Sequence, residues 1–145
     1  MRIVLDTNVV FEGLTTQGGA SGLIIDLWRV NLMEVYVSTS LALEYAEVCS
    51  RQLSPARWHR LQPVLGALLD QSHYVPIYYS WRPMSPDPGD DHLIDCAMNA
   101  NATIITWNVR DFARAQQSLG LRVQTPTDYL AQYAKTLEES EGTEK

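Results

Sequence analysis

Four short apolar runs alternate with stretches of helical spacing along the chain. The runs cover residues 2–5, 34–38, 74–79 and 103–106, and short runs of this kind are typical of buried strands. Between them, apolar residues recur three and four positions apart, which is the spacing of a helix with one buried face. Strands that alternate with helices form βαβ units. The pattern therefore predicts an α/β fold built on a parallel sheet.

Helix start signals support this alternation. Helices are predicted over residues 20–30 and about 40–52, then from Ser54-Pro55, after Asp90-Asp91 and from residues 107–112 onward. The segment Ser38-Thr39-Ser40 supplies capping hydroxyls for the second helix, and Pro55 suits the first turn of the third. The stretch from Trp81 to Gly89 contains three prolines, which predicts an irregular segment there.

Length and composition fit one soluble globular domain. The chain has 145 residues, of which 46% are hydrophobic and 19% are charged, and a chain of this size can bury a single core. No apolar run approaches the roughly 18 residues of a membrane helix, and Asp6 interrupts the first run too early for a signal peptide. We therefore expect a cytoplasmic protein without a membrane segment. Cys49 and Cys96 show no metal-ligand spacing and are expected to be buried thiols.

The net charge of −6 argues against a broad basic surface for nucleic acid. Part of this charge is local, because residues 138–145 hold four acids and one lysine. We expect residues 1–135 to form a single domain and residues 136–145 to be an acidic, disordered tail. A cluster of catalytic carboxylates would account for most of the remaining negative charge, because such acids are neutralised only when a cation is bound. An acidic chain is therefore compatible with a nucleic-acid substrate.

Acidic side chains follow the predicted strands at the point where each strand ends. Asp6 comes directly after the first apolar run, and Asp111 comes shortly after the fourth. Glu44 lies near the start of the helix after the second run, and Asp91 near the start of the helix after the irregular segment. Because the carboxyl ends of parallel strands share one edge of a sheet, these four acids are expected to converge. Carboxylates packed that closely require a cation, and oxygen-only ligands select Mg²⁺ or Mn²⁺, as one or two ions.

Five neighbouring polar residues are predicted to support these acids. Asp90 is expected to be the N-cap of its helix, which leaves the following residue as the ligand. Thr7 and Thr106 are expected to donate hydrogen bonds to the ligating carboxylates. Asn8 and Asn108 either take part in the site or serve as turn residues.

Four segments resemble, in order and in position, the motifs of the PIN domain, specifically its VapC-like group of toxins from toxin–antitoxin pairs. They are LDTNVV at residues 5–10, LEYAEV at 43–48, DPGDDHLI at 87–94 and TWNVRDF at 106–112, and the likeness extends from residue 1 to about residue 130. The resemblance implies a three-layer α/β/α fold with a central parallel sheet of four to five strands. It further implies a metal-dependent ribonuclease in which Asp6, Glu44, Asp91 and a fourth acid, near Asn108 and Asp111, bind the metal. A homodimer and a small antitoxin that blocks the acidic edge are also implied.

One position departs from the family pattern. Many relatives carry Asp where this chain has Asn108, so either Asp111 is the fourth ligand or the second metal site is weak. The alternative interpretation is a catalytically weak or inert PIN-fold module that binds RNA or a protein partner. A phosphatase with Asp6 as its nucleophile is a weaker interpretation, because such chains place a second Asp where Asn8 stands.

Contacts to the RNA substrate are predicted at Arg51, Arg110 and Arg114, although a solvated helix face explains each arginine equally well. Trp107 either stacks on a base or packs against the protein. The three histidines are scattered and form neither a catalytic triad nor a zinc pattern. Neither a Gly-x-Gly-x-x-Gly turn nor a Gly-Lys-Ser/Thr loop is present, which argues against a nucleotide-dependent enzyme.

Overall fold

The structure, a computed structural model, describes residues 1–81 and 88–143. Five strands are described: β1 Arg2–Leu5, β2 Glu34–Val37, β3 His73–Tyr74, β4 Thr103–Ile105 and β5 Val123–Gln124. The described helices are α1 Thr7–Thr15, α2 Gly19–Arg29, α3 Thr39–Gln52, α4 Pro55–Asp70, α5 Pro88–Ala100, α6 Ala113–Leu119 and α7 Pro126–Thr143. A short 3₁₀ helix, Val109–Phe112, lies between β4 and α6. Among these helices, none has the length and apolar character that crossing a membrane requires.

The five strands form one sheet in the order β3-β2-β1-β4-β5, and every neighbouring pair is parallel. Leu5 of β1 is paired with Ile105 of β4, so these two strands end side by side. Ile3, Val4 and Leu5 are completely buried, as expected for a central parallel strand with helices on both faces. This α/β/α architecture with its five-stranded parallel sheet confirms the predicted fold class.

Two of the predicted helices begin at the caps that the sequence indicates, and a third occupies its predicted range. The helices expected over residues 20–30 and 40–52 and from Ser54-Pro55 are confirmed as α2, α3 and α4. The Ser38 hydroxyl accepts a hydrogen bond from the backbone N–H of Leu41 at 3.2 Å. The Ser54 hydroxyl accepts one from the backbone N–H of Arg57, also at 3.2 Å. Each cap satisfies a backbone donor that the first helical turn would otherwise leave open.

Helix α1 is absent from the sequence prediction and begins directly at the end of β1. Its β-branched residues Thr7, Val9 and Val10 have low helix propensity. Packing against α2 compensates, since both valines are fully buried. The Asp6 backbone is extended at the N-cap, and its carbonyl accepts the N–H groups of Val9 at 3.0 Å and Val10 at 3.2 Å. The short connection places the first residues of α1 at the carboxyl edge of the sheet.

Helix α5 starts at Pro88, earlier than the sequence prediction placed it. The prediction of Asp90 as an N-cap is therefore wrong, because Asp90 and Asp91 both lie within the first helical turn. Proline is well tolerated in a first turn, where its missing N–H would have no helical partner. Residues 88 and 89, which the sequence analysis placed in the irregular segment, belong to α5, and residues 82–87 of that segment lie outside the described part of the chain. The helix packs on β1, β2 and β4.

The strand predicted over residues 74–79 is wrong for most of its length, because β3 ends at Tyr74. The Asn99 side chain of α5 binds the following segment instead. Its Oδ1 accepts the N–H of Tyr78 at 3.1 Å, and its Nδ2 donates to the carbonyl of Tyr79 at 2.9 Å. Tyr78 and Tyr79 are 79% and 71% exposed, so the apolar run is not a buried strand. A side chain from a distant helix has replaced the strand hydrogen bonds.

Helix α7 continues through residues 136–143, where the sequence analysis expects a disordered acidic tail. This part of the prediction is therefore corrected, while residues 144–145 lie outside the described part of the chain. Leu137 and the three glutamates of this stretch are good helix formers. Tyr129, near the start of the helix, is 3% exposed and belongs to the core. The first part of the helix is therefore packed against the core, and its last part is polar and exposed.

Both cysteines are free and buried, as predicted. Burial raises the pKa of the Cys96 thiol to about 12. Burial also raises the pKa of the Cys49 thiol above its usual value. Thiols are reactive as thiolates, so both side chains act as small apolar groups of the core.

Candidate functional site

A cleft of about 650 Å³ opens at the carboxyl edge of the sheet, beside the end of β1. Its walls come from α1, α3 and the first turn of α5. Six residues that the sequence analysis selects lie on these walls, namely Asp6, Thr7, Asn8, Glu44, Arg51 and Asp90. Predicted site residues from three separate parts of the chain therefore face one opening.

Asp6 is held at the junction between β1 and β4. Its backbone N–H donates to the carbonyl of Ile105 at 2.9 Å, which continues the sheet ladder by one residue. The Thr106 hydroxyl donates to Asp6 Oδ2 at 2.7 Å. Thr106 is completely buried and Asp6 is 9% exposed, so this hydrogen bond fixes the orientation of a largely desolvated carboxylate. The hydrogen bond predicted for Thr106 is present.

Glu44 is oriented from α1. The Thr7 hydroxyl donates to Glu44 Oε2 at 2.6 Å, so the predicted donor role of Thr7 is also present. The next residue, Tyr45, is completely buried, and its hydroxyl donates to the carbonyl of Leu5. Burial raises the pKa of Tyr45 well above its usual value, and the charges of Cys96, Asp6 and Glu44 raise it further. Tyr45 therefore remains a protonated donor that ties α3 to the end of β1.

Asn8 supplies an oxygen atom with no hydrogen-bond partner among the described residues. Its Oδ1 is buried, although the residue itself lines the cleft. An unpaired buried acceptor is costly, and an amide oxygen beside carboxylates suits a hard divalent cation. Within residues 1–81 and 88–143, no three His, Cys, Asp or Glu side chains are gathered closely enough to form a metal cage. The oxygen atoms of the cleft are thus of the type that binds Mg²⁺ or Mn²⁺, although no three of the described carboxylates lie close enough together to surround an ion.

The acids of α5 occupy different environments. Asp90 lines the cleft, whereas Asp91 is 4% exposed and does not reach the described lining. Asp95, one turn later, is 2% exposed, and its Oδ1 accepts the backbone N–H of Trp81 at 3.0 Å. Asp95 therefore anchors the chain segment that precedes residues 82–87. The ligand role of Asp91 stays a prediction.

The residues that follow β4 lie at the same edge of the sheet, next to Asp6. The Asn108 N–H donates to the Thr106 hydroxyl at 3.0 Å, so the same hydroxyl joins Asp6 to the turn. Asp111 is exposed on the 3₁₀ helix and is absent from the cleft lining. Arg110 and Arg114 are likewise exposed and outside the cleft, in contrast to Arg51. The roles predicted for Asp111 and these arginines stay predictions.

Sequence reasoning missed two contributions to this edge. Glu12 lines the cleft from α1, and it lies four residues after Asn8, which is the spacing of one helix face. Recognition of α1 would have revealed it. Ser21 of α2 is 1% exposed, and its hydroxyl accepts the indole N–H of Trp107 at 2.9 Å. No local pattern connects these two residues, which are 86 positions apart.

Replacing Thr106 with Val is expected to lower the free energy of unfolding by about 1–3 kcal/mol, because the nearly isosteric change removes the donor to a buried carboxylate. Thr103, the first residue of β4, offers a matched control three positions earlier in the chain. It is 1% exposed, and its hydroxyl has no partner among the described residues. The Thr103→Val variant should therefore be as stable as the original or more stable. Urea denaturation measures both, and equal losses in the two variants would contradict the importance of the Thr106 hydrogen bond.

Several solved structures share this fold. A chain of VapBC2 from Rickettsia felis, bound to a DNA fragment from its promoter, has 15% sequence identity and a TM-score of 0.61, covering 86% of this chain and 98% of that chain. FitAcB from Neisseria gonorrhoeae has 22% identity and a TM-score of 0.61, with coverages of 86% and 97%. VapBC-1 from nontypeable Haemophilus influenzae has 17% identity and a TM-score of 0.57, with coverages of 88% and 99%. At these identities the likeness shows the fold alone.

The sequence also matches a family model. No curated protein matches the chain significantly. The model of the PIN domain, however, matches residues 2–110. This range runs from β1 into the 3₁₀ helix and contains every element that lines the cleft. Because the match covers most of the chain and agrees with the parallel sheet and its acidic edge, the chain belongs to the PIN domain family.

Proposed function

We infer that the protein is a metal-dependent ribonuclease that hydrolyses RNA phosphodiesters with Mg²⁺ or Mn²⁺, and that it is the toxin component of a toxin–antitoxin pair. One observation carries the inference. Asp6, Glu44 and Asn8 line the same cleft at the carboxyl edge, and Asn8 Oδ1 is buried without a hydrogen-bond partner among the described residues. These are oxygen donors of the type that hard cations prefer, and membership of the PIN family agrees with that chemistry.

In this proposal Asp6, Glu44, Asp91 and Asp111 hold one or two divalent cations. Such a cation supplies Lewis-acid activation of water and neutralises charge on a phosphate. The chain's own contribution is orientation of the ligands. The hydroxyls of Thr106 and Thr7 each occupy one carboxylate oxygen, on Asp6 and Glu44 respectively, and so restrict the directions in which the remaining lone pairs point.

Single-stranded or looped RNA is the proposed substrate. The groove of an RNA duplex that carries most base information is deep and narrow, so proteins read RNA most readily where its bases are unpaired. Arg51 is exposed and lines the cleft, which places a cation where it can contact a phosphate. Arg110 and Arg114 supply further exposed cations beyond β4. We accordingly propose the cytoplasm, where such RNA is present, as the compartment.

The proposal is tested by metal removal. Mixed cellular RNA incubated with the purified protein should be cleaved with Mg²⁺ or Mn²⁺, should remain intact with EDTA, and should be cleaved again when Mn²⁺ is added in excess. Gel electrophoresis of the RNA measures the outcome. Cleavage that is equal with and without EDTA would overturn the proposal.

A PIN-fold module with weak or no catalysis is the second candidate. It is favoured by Asn108 in place of an acid and by the position of Asp111 outside the described cleft lining. Calorimetric titration with Mn²⁺ separates the two candidates. The nuclease should bind Mn²⁺, and the Asp91→Asn variant should bind it more weakly. An inert module should show no binding that depends on this residue.

We also propose two protein partners from the family resemblance. Resemblance to VapC-like proteins suggests a small antitoxin that covers the acidic edge, together with a homodimer. The similar chains occur in structures of VapBC and FitAB proteins, which supports the search for an antitoxin. A gene for a small protein directly upstream of this one would favour the pairing.

A further inference from the structure

Trp107 stands at the carboxyl end of β4 with its orientation fixed and part of its surface exposed. Its indole N–H donates to the hydroxyl of Ser21, which is 1% exposed within α2. Trp107 itself is 38% exposed. By contrast, Trp28 is 1% exposed and belongs to the core. Trp107 is therefore held in place by a tertiary contact while a substantial part of its surface still faces solvent.

This side chain lies close to the candidate active site. The preceding residue, Thr106, is the donor to Asp6 Oδ2, and β1 and β4 are directly paired up to Leu5 and Ile105. Neighbouring strands are about 4.8 Å apart and each residue advances about 3.3 Å, so the backbone of Trp107 stands within roughly 10 Å of Asp6. A side chain whose backbone stands at that distance is within reach of a nucleotide beside a phosphate bound at the acids.

The chemistry of this position favours a nucleobase. The one polar atom of the indole is already bonded to Ser21, so the ring can offer a new partner only stacking and apolar contact. The exposed residues that follow it are polar or small, namely Asn108, Arg110, Asp111, Ala113 and Arg114. None of the exposed residues between 108 and 114 is large and apolar, so this segment does not itself form the continuous apolar patch of a protein interface. Arg110 adds a nearby cation for the phosphate backbone.

We propose that Trp107, held by Ser21, is a stacking surface for an unpaired base of the RNA next to the scissile phosphate. This inference rests on the proposed ribonuclease function and assigns part of its substrate recognition to a residue outside the acidic cluster. Stacking on an aromatic ring is available only to a base that has left its duplex, and it tolerates any base because each has a π face. The site thus selects single-stranded RNA by shape and not by sequence.

Binding of RNA is measured with fluorescein-labelled 12-mers of oligo(A) and oligo(U), by anisotropy in EDTA, where hydrolysis does not interfere. Trp107→Leu removes the ring and should weaken oligo(A) binding about tenfold, a loss equivalent to about 1.4 kcal/mol. Trp107→Phe keeps a stacking face and should stay within about threefold of the original. Ser21→Ala leaves the ring unanchored and should give a loss between these two. Thermal melting of each variant verifies that it is folded.

A second measurement uses the unaltered protein, in case Trp107→Leu does not fold. An RNA 12-mer that carries 5-iodouridine is cross-linked by light, and the modified peptide is identified by mass spectrometry. The cross-link is expected in the peptide that contains Trp107. Cross-links confined to peptides distant from this residue would overturn the proposal.

The outcomes separate this inference from the proposed function. Suppose that RNA is cleaved with Mn²⁺ but Trp107→Leu binds both 12-mers as tightly as the original protein. The proposed stacking role of Trp107 is then wrong, and the proposed ribonuclease function is retained. If no RNA is cleaved but binding depends on Trp107, the stacking surface stands and the nuclease is wrong. If Trp107→Leu leaves RNA binding unchanged and converts a dimer to a monomer in light scattering, the ring belongs to a contact between copies, and the inference is overturned.

Discussion

Under the proposed function, replacing Asp6 with Asn should lower the rate of RNA cleavage by about 100-fold or more, because it would remove a charged metal ligand from the acidic edge. Asp6 joins β1 to β4 through its backbone and accepts the Thr106 hydroxyl. Asn keeps the size of the side chain and one oxygen, so the fold should be retained. Initial rates on a labelled RNA with Mn²⁺ measure the effect, and far-UV circular dichroism verifies the fold.

A matched pair in α3 provides the control for this prediction. Glu44 lines the cleft, whereas Glu47 is exposed and forms an ion pair with Arg51 at 3.2 Å. Glu44→Gln should lower the cleavage rate in the same direction as the change at Asp6. Glu47→Gln alters the net charge equally but should not lower the rate, because an exposed ion pair contributes little. Similar losses for the two glutamates would assign the effect to overall charge and contradict the proposed site.

Replacing Gly13 with Ala should destabilise the protein by about 3 kcal/mol or more. A Cβ atom at Gly13 would lie 2.3 Å from Cγ1 of Ile25 and 2.6 Å from the backbone oxygen of Ser21. The isoleucine can rotate, but the backbone oxygen moves only if α2 shifts away from α1. The higher helix propensity of Ala, about 1 kcal/mol, is too small to offset this overlap.

Gly66 in α4 is the matched control for Gly13. Apart from its own stretch of helix, no described atom lies within 4 Å of the position that a Cβ would occupy there, so Gly66→Ala should stabilise the protein by about 0.5–1 kcal/mol. Urea denaturation followed by circular dichroism measures both variants. If Gly13→Ala were as stable as Gly66→Ala, the close approach of α1 and α2 would be contradicted. Because α2 also carries Ser21, a shift of this helix should disturb the orientation of Trp107 as well.

The fold was predictable wherever local pattern and burial agree. The apolar runs at residues 2–5, 34–38 and 103–106 correspond to β1, β2 and β4, because central parallel strands are buried on both faces. The run at 74–79 misled the prediction. Most of its apolar residues are exposed, and the Asn99 side chain binds the backbone at Tyr78 and Tyr79. A run of apolar residues shows that a segment is hydrophobic, but it does not show that the segment is buried. Most of this run is exposed.

The candidate site was predictable in composition and less so in arrangement. The acid at the end of β1 and the glutamate of α3 do face one cleft, because parallel topology brings the ends of all strands to one edge. Asp90 was assigned to a cap, yet it lines the cleft, because α5 begins two residues before it. Helix boundaries are sensitive to a single residue such as Pro88, and one residue of shift turns a side chain by about 100°.

By itself, the sequence determined the alternation of strands and helices, the acids at the strand ends and the resemblance to the PIN family. These features are encoded in the order of neighbouring residues. Only the tertiary structure decided that Thr106 orients Asp6, that Ser21 holds Trp107, and that Asp111 stays outside the described cleft lining. The two hydrogen bonds join residues 100 and 86 positions apart. Such contacts arise from how helices pack on the sheet, and local spacing carries no information about them.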